Sequence, residues 1–283
     1  MDIIKQIAKE EFRESKSDKI LIEYINNNAS ECIYKSITEI AEEVSLGEAT
    51  ITRFSKKLGF SGFPEFKVTL AKKLSRESGK NVINAVVKLD EPVKETANKL
   101  FESHVKVIEE TLKNLDFSEV IKAREMFLNA KKIYFFGIGN SGIVSMEANY
   151  KFMRIGMNTV SISDSHTMRM ISAIVGRGDL IFAISHSGET KEIIEAVKLA
   201  KENKANIISL TESRGNTLKD ISDINISYVS METIFETGSI LSKLVQVFLI
   251  ELIYAEVIKE SYEESIDKKM RTTTALEDIR EEY

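Results

Sequence analysis

The chain has a single cysteine, Cys32, so no disulfide can form within it and no cysteine cluster can hold a metal. Such a chain suits a reducing compartment, the cytoplasm. Histidine is almost as scarce: His104, His166 and His186 lie far apart, and neither an HxH nor an HExxH pairing occurs. That pattern argues against metal catalysis, and neither a metal nor a cofactor is expected. Long apolar runs are also missing. The most apolar stretch, residues 244–258, is interrupted by Gln246, Glu251 and Glu256, and is too short and too polar to cross a bilayer. No membrane partner is therefore expected. The first fourteen residues mix charges and lack the apolar centre of a secretory leader. There is no internal repeat, no low-complexity tract and no Gly-Lys-Ser/Thr ending to form a triphosphate-binding loop.

The chain has 283 residues, enough for one large or two modest domains, and 43% hydrophobic with 29% charged residues is an ordinary globular balance. The net charge of −5 gives no general attraction to nucleic acid. The charge is uneven, however. Residues 1–47 carry 6 basic against 10 acidic side chains, residues 48–80 carry 8 against 3, and residues 81–283 carry 25 against 31. A small basic block inside an acidic chain calls for a local explanation.

Residues 1–75 read as all helix. Ile20, Leu21, Tyr24 and Ile25 fall on one side of a first firm helix. Thr38 is the expected N-cap of a second helix, Glu39 to Val44, with Ile37, Ile40, Ala41 and Val44 as its apolar stripe. Ser45-Leu46-Gly47 is a three-residue turn, and Glu48 to Leu58 a third helix with Ile51, Phe54 and Leu58 inward. Its other face presents Ala49, Thr50, Thr52, Arg53, Lys56 and Lys57. Two short helices on a tight turn, the second basic, fit a helix-turn-helix. Small and hydroxyl side chains at the start of the second helix suit base edges, and the later cations suit phosphates. The bland alternative is a helical packing domain with a solvated basic face. Residues 59–64 end that helix, and Glu65 to Leu74 forms another, bearing Lys67, Lys72 and Lys73. The polar run 76–91, ahead of Pro92, reads as a linker between domain 1–75 and domain 92–283. Val93 to Leu115 is a long helix with Ala97, Leu100, Phe101, Val105, Ile108 and Leu112 in register, to pack on the second domain or on a partner subunit.

From Phe117 onward helix and strand alternate, which predicts an α/β domain with a five-stranded parallel sheet flanked by helices. The expected strands are 132–136, 158–162, 180–184, 206–210 and 224–228. Leu180 to Ile184 is a continuous apolar run, as in a strand buried on both faces. It leads through Ser185-His-Ser-Gly-Glu-Thr190 into a helix. A second glycine turn, Gly137-Ile-Gly-Asn-Ser-Gly142, follows the first strand in the same way. Turns of this kind present amide N–H groups, hydroxyls and helix dipoles to a ligand beyond the strand ends, and together they point to one small phosphorylated ligand. A dinucleotide reading of the first turn would need Asp164 to hold a ribose, but Asp164 sits where it would cap a helix. Residues 240–258 are apolar nearly all round and predict a buried helix, and the charged tail 261–283 predicts a terminal helix or a frayed end.

At these residues a resemblance becomes specific. Gly137-Ile-Gly-Asn-Ser141 and Ser185-His-Ser-Gly-Glu-Thr190 resemble the two signature loops of sugar isomerase (SIS) domains. The run from Glu48 to Lys67 is similar to the recognition-helix region of the RpiR family of bacterial transcriptional regulators. The resemblance implies a regulator of sugar metabolism, not an enzyme, that binds double-stranded operator DNA as a homodimer or homotetramer and senses a phosphorylated sugar. It would place the ligand on Gly139, Asn140, Ser141, Ser185, His186, Ser187, Gly188, Thr190 and Glu236, and DNA on Thr50, Thr52, Arg53, Lys56 and Lys57. One departure stands out: Ser242-Lys243-Leu-Val-Gln246 replaces the frequent Ser-Arg with a following Gln, and Lys is not equivalent to a bidentate Arg. The alternative is a sugar phosphate isomerase with an accessory helical domain, for which Glu236, His186, Glu189 and His166 are the candidate acids and bases.

Overall fold

The computed structural model of the chain describes residues 3–10, 13–33, 35, 37–78, 87, 90–213, 215–230 and 240–281. It divides into two units, one running to Ser103 and the other beginning at His104.

The first unit contains α1 (Ile3–Ile7), α2 (Lys16–Cys32), α3 (Ile37–Glu43), α4 (Glu48–Lys57) and α5 (Phe63–Ser78). Its core gathers Leu21 and Ile25 of α2, Ile40 of α3, Ile51 and Phe54 of α4, and Phe63, Phe66 and Leu70 of α5, with Leu58 and Phe60 between the last two helices. Phe66 meets Phe54, Phe60 and Phe63 at centroid separations of 5.7 to 6.2 Å. The short α1, which the mixed charge of the N-terminus conceals in the sequence, adds Ile3, Ile4 and Ile7 to this core. Burial pushes the Cys32 thiol up to about 11, so it is a small core side chain and not a reactive nucleophile.

Several local expectations are corrected. Ile20 faces solvent, since 100° per residue carries it off the stripe formed by Leu21 and Ile25. α3 begins at Ile37, so Thr38 lies inside the helix and not at its cap. The turn expected at Ser45-Leu46-Gly47 is present, with Ser45 left-handed (φ 53°) and Gly47 the extended N-cap of α4 (φ −76°, ψ 147°). Lys67 is buried and donates its ammonium to the Lys35 carbonyl, so it does not join the basic face.

α6 (Val93–Asn114) contains the boundary between the units. Its sequence stripe is not its buried edge. Val107 and Thr111 are buried, with the Val229 amide donating to Thr111 Oγ1 (3.1 Å), whereas Phe101, Val105 and Leu112 are exposed.

The second unit continues with α7 (Phe117–Asn129), β1 (Lys132–Gly137), α8 (Asn140–Arg154), β2 (Thr159–Ile162), α9 (Ser165–Ile174) and β3 (Asp179–Ile184). Then come α10 (Lys191–Glu202), β4 (Asn206–Glu212), α11 (Thr217–Ile221), β5 (Ile224–Tyr228), α12 (Ile240–Glu260) and α13 (Tyr262–Glu281). All five strands are parallel, in the order β2-β1-β3-β4-β5. Successive side chains on a strand face opposite sides, so each apolar strand feeds two cores. On one side Tyr134, Phe136, Ile181, Ala183 and Ile207 meet Met168 of α9, Ile193 and Val197 of α10, and Leu218 of α11. On the other, Phe135 and Phe182 pack with Phe127 of α7 and Phe152 of α8, with centroids 4.6 to 6.1 Å apart. α12 buries Val245, Leu249, Ile250, Ile253 and Val257 but leaves Ile240 and Leu244 exposed. The tail is helical, and Arg154 of α8 donates to Thr273 Oγ1 of α13 (2.7 Å). α8 turns a row of Ile143, Met146, Tyr150 and Met153 to solvent.

One ion pair joins two helices of the first unit. Ser15 and Asp18 form a capping box at the start of α2, and Lys57, at the end of α4, donates to Asp18 Oδ2 (2.6 Å). Burial pushes the Asp18 carboxyl up, but the hydrogen bonds from Lys57 and Ser15 outweigh it and hold the group below its ordinary value. The Asp18 side chain is 3% exposed and that of Lys57 42%, so solvent screens the pair and most of the stabilisation lies in the cap. Asp18→Ala is expected to destabilise the first unit by about 1–2 kcal/mol. Because the folded pKa lies below the unfolded one, the wild-type advantage is complete above about pH 4 and is lost as pH falls through the folded value. Urea unfolding of both proteins from about pH 3 to about pH 7, the expected window, checks it: a constant difference down to the acid end would contradict the assignment.

Candidate functional site: a recognition helix and a two-loop cradle

In the first unit, α3 and α4 are joined at residues 44–47, and the Leu46 amide donates to the Ala41 carbonyl (2.9 Å) to close the turn. Ile51 and Phe54 hold α4 in the core. That anchoring leaves Ala49, Arg53, Lys56 and Lys57 exposed and Thr50 and Thr52 half-buried. Arg53 Nη2 donates to Thr50 Oγ1 (3.3 Å), one turn away. The five expected DNA-facing residues therefore share one helix but differ in state. Arg53 and Lys56 project from the surface, whereas Lys57 is tied to Asp18 and works in packing as well as in charge.

In the second unit, the order 2-1-3-4-5 makes β1 and β3 neighbours whose connections leave in opposite directions, and Gly137 lies in register with Ile184. The two glycine turns thus emerge side by side at the switch point of the sheet, where the strand ends leave a crevice. Gly139, at φ 60° and ψ −127°, is the N-cap of α8 and offers no side-chain cap. Thr190 is the N-cap of α10, also without a side-chain cap, because its hydroxyl is turned to Ser185 Oγ (3.0 Å). By contrast Asp116, Asp164 and Asn216 cap α7, α9 and α11 with their side chains. Asp164 accepts from the Thr167 amide (2.8 Å), and that bond lowers its pKa, so it caps α9 as its position in the sequence indicates.

The β3 turn is built as a unit. Ser185 is buried, and its Oγ accepts from the Gly188 amide (3.2 Å). Ser187 is exposed, and its Oγ accepts from the Glu189 amide (3.2 Å). Both oxygens of Glu189 are engaged by Thr217, from its amide (2.6 Å) and its hydroxyl (2.9 Å). Glu189 is thereby an anchor for α11, which is not a base's position. Gly188 sits at φ 67°, and a Cβ there would lie 2.0 Å from Asn216 Oδ1. His186 Nδ1 lies 2.8 Å from Tyr228 Oη and 3.3 Å from Ser242 Oγ, and Gln246 Nε2 donates to the same Tyr228 oxygen (2.7 Å).

Gly139, Asn140, Ser141, Ser185, His186, Ser187, Gly188 and Thr190 are thus brought to one end of the sheet, while Glu236 lies outside the described residues. His166, in the first turn of α9, lines a groove with Ser165, Arg169, Glu192, Glu195 and Ala196, which brings it beside the start of α10. Asn216, Tyr228, Ser242 and Gln246 do not emerge as a group from the sequence. Tyr228 has a signal, since it ends a strand at the carboxyl edge of the sheet, and the Ser242–Gln246 spacing shows as a motif without its partner. Among the described residues no group of three or more His, Cys, Asp or Glu could hold a metal ion, and no helix is long and apolar enough to cross a membrane.

Residues 1–77 match the model of the helix-turn-helix domain of the rpiR family, and residues 126–255 match the SIS domain. An uncharacterised HTH-type transcriptional regulator of Clostridium perfringens is 52% identical over 276 residues, 98% of this chain and 99% of that one. The chain belongs to the RpiR family. Among other RpiR-family relatives, the HTH-type transcriptional regulator HexR of Escherichia coli is 34% identical over 213 residues, 75% of this chain and 73% of its own. The Vibrio vulnificus NanR protein, whose structure is a complex with ManNAc-6P, superposes with a TM-score of 0.78 at 26% identity and covers 98% of each chain. This RpiR-family member is accordingly a transcriptional regulator with a helix-turn-helix and a SIS domain, not an enzyme.

The geometry of the β3 turn makes a testable demand. Gly188→Ala adds both a left-handed φ and a clash with Asn216, and is expected to lower stability by about 2–4 kcal/mol. Asn216→Gly gives up the α11 cap on its own account, but in that background the cost of Gly188→Ala should fall to the part due to φ. Denaturant melts of the wild type, both single variants and the double variant close the cycle. An unchanged midpoint for Gly188→Ala would show that the turn is not held as described.

Proposed function

We propose that this regulator binds double-stranded operator DNA through the exposed face of α4 and binds a phosphorylated sugar in the two-loop cradle at the β1/β3 switch point. The observation that carries the ligand half is the pair of helix N-termini, those of α8 and α10, left without side-chain caps at the one place where the sheet opens. Each presents amide N–H groups and the positive end of a helix dipole to an anion. Ser141, Ser187 and Thr190 add hydroxyls, and Ser185 shapes the turn from beneath. The NanR likeness, with ManNAc-6P in that protein, supports a phosphosugar as the class of ligand.

On the DNA side, Thr50 and Thr52 at the start of α4 address base edges, and Arg53, Lys56 and the outer part of Lys57 address phosphates. The working division is 1–75 for DNA, 76–91 as linker and 92–283 for the ligand. The working species is a homodimer or homotetramer in the cytoplasm. The exposed apolar rows on α6 and α8 support self-association, because such rows are rarely left to water. Ligand binding would alter the spacing of the paired recognition helices and with it operator affinity.

Fluorescence anisotropy on DNA from upstream of the protein's own gene tests both halves. Arg53→Ala with Lys56→Ala should weaken binding at least about tenfold and lower the salt slope by about 2, roughly one for each phosphate no longer neutralised. Ser187→Ala should keep DNA affinity but blunt the response to ManNAc-6P and other hexose phosphates. Undiminished, salt-independent binding by the double variant would overturn the DNA assignment. A wild type indifferent to every sugar phosphate would overturn the ligand assignment.

A further inference from the structure

The sheet face that carries α11 changes character towards the cradle. Ile207 of β4 lies in the apolar core, but Ser209 and Thr211, the next two residues on that face, are fully buried hydroxyls. Beside them on β5 stand Asn225 and Ser227, in register with Ser209 and Thr211. Polar side chains inside a sheet core are costly unless they are paired, and here they are. Asn225 Nδ2 donates to Ser209 Oγ (2.8 Å) and to Thr211 Oγ1 (3.0 Å), and Asn225 Oδ1 accepts from the Ser227 hydroxyl. From the other side Asn216 Nδ2 donates to the same Thr211 Oγ1 (3.1 Å), and Thr211 donates to the Glu212 carbonyl (3.1 Å). One hydroxyl thus takes two donors and gives its own proton, which is all such a group can do.

Asn216 carries this network to the β3 turn. Its Oδ1 accepts from the Lys219 amide (2.9 Å), which orients the side-chain amide so that Nδ2 is turned to Thr211. The same Oδ1 lies against Gly188, in the space a Cβ would take. Two residues on, the Leu218 amide donates to the Gly188 carbonyl (3.0 Å). We propose that Thr211 and Asn225 are positioning residues of the anion cradle. Acting through Asn216, they hold the Gly188 backbone where the β3 turn aims its amides at a phosphate. Thr211 is fully buried, out of a ligand's reach, so it acts on binding through the turn and not by contact. Such a turn binds well when its amides are aimed before the ligand arrives. An apolar pair at 211 and 225 would fill the same space without orienting a side-chain amide. The effect on affinity rests on the phosphosugar reading above, whereas the hold on the turn does not.

Thr211→Val removes the hydroxyl and keeps the branched shape, whereas Thr211→Ser keeps the hydroxyl. Hydrogen exchange of the full-length, unliganded proteins reads the hold on the turn. Peptides over 185–190 and 216–221 should exchange faster in Thr211→Val, while one over 132–137 in β1 should match the wild type. Thr211→Ser should exchange like the wild type at all three. No change at the turn, or an equal acceleration at all three, which is what a merely structural role would give, overturns the proposal.

Calorimetry then compares ManNAc-6P with a panel of hexose and pentose phosphates. Thr211→Val should weaken whichever of them binds by about tenfold, the worth of one hydrogen bond, and Thr211→Ser should restore most of that loss. Wild-type affinity in a folded Thr211→Val, or a Thr211→Ser as weak as Thr211→Val, overturns the positioning role. Should Thr211→Val fail to fold, Asn225→Ala, on the half-buried side of the edge strand, takes its place. It should show the same selective exchange and a loss of about threefold, and no loss overturns the proposal. Failure of every sugar phosphate to bind the wild type overturns the phosphosugar reading instead, and the exchange result still decides whether Thr211 holds the turn.

Discussion

The parallel pairing of β1 with β3 governs the whole second unit. β1 turns outward to β2 and β3 turns the other way to β4, so the connections part at that seam and only there. Everything assigned to the cradle follows from the register Gly137 to Ile184, which sets two glycine turns side by side. The pairing is stable because both strands are buried on both faces. Phe135 and Phe182 stack into the aromatic cluster on one side, while Phe136, Ile181 and Ala183 fill the other core. Burial of that kind, roughly 25 cal/mol per Å² of apolar surface, supplies the rigidity that the proposed anion cradle would need.

Around that seam polar groups divide into those that shape the turns and those that, in the proposed cradle, would face a ligand. Ser185, Glu189, Asn216 and the Gly188 backbone hold the β3 turn to α11 and to itself. Asp164 and Asn216 close the neighbouring helix ends, which removes α9 and α11 as competing anion sites. Where several helices start above one sheet edge, capping is as informative as its omission. The first unit applies the same economy differently. There Asp18 serves at once as partner in a capping box and as the counter-ion that fixes the end of α4, so a helix presented outward is braced from behind.

The charge asymmetry of the chain acquires a physical meaning when burial is considered. Of the cations in the basic block, Lys67 is spent inside the first unit and Lys57 is half spent, so the outward charge of α4 rests on Arg53 and Lys56. Net charge by segment counts residues equally, whereas the field at the surface is set by the ones that remain in water. The apolar rows on α6 and α8 have the opposite character. They are hydrophobic and yet outside, and their sequence periodicity is indistinguishable from that of a core-facing stripe.

Elements that depend on local repetition are legible in the chain before any fold is known. Leu180 to Ile184 reads as a strand buried on both faces, and the alternation after Phe117 predicts a parallel sheet, as the fold has them. The cap at Asp164 and both glycine turns are equally legible, because turn and cap chemistry is written within a few residues. Which side chains meet across long separations is settled instead by the packed molecule. It brings Lys57 to Asp18 and His186 to Tyr228 and Gln246, puts Ile20 and the α6 row outside, and makes Ser45 the left-handed residue of the turn before α4. The reason is physical. Periodicity specifies that a face must be covered, but its partner is chosen by packing among all the faces at once, and a hydrogen bond about three ångströms long carries no trace in the spacing of residues.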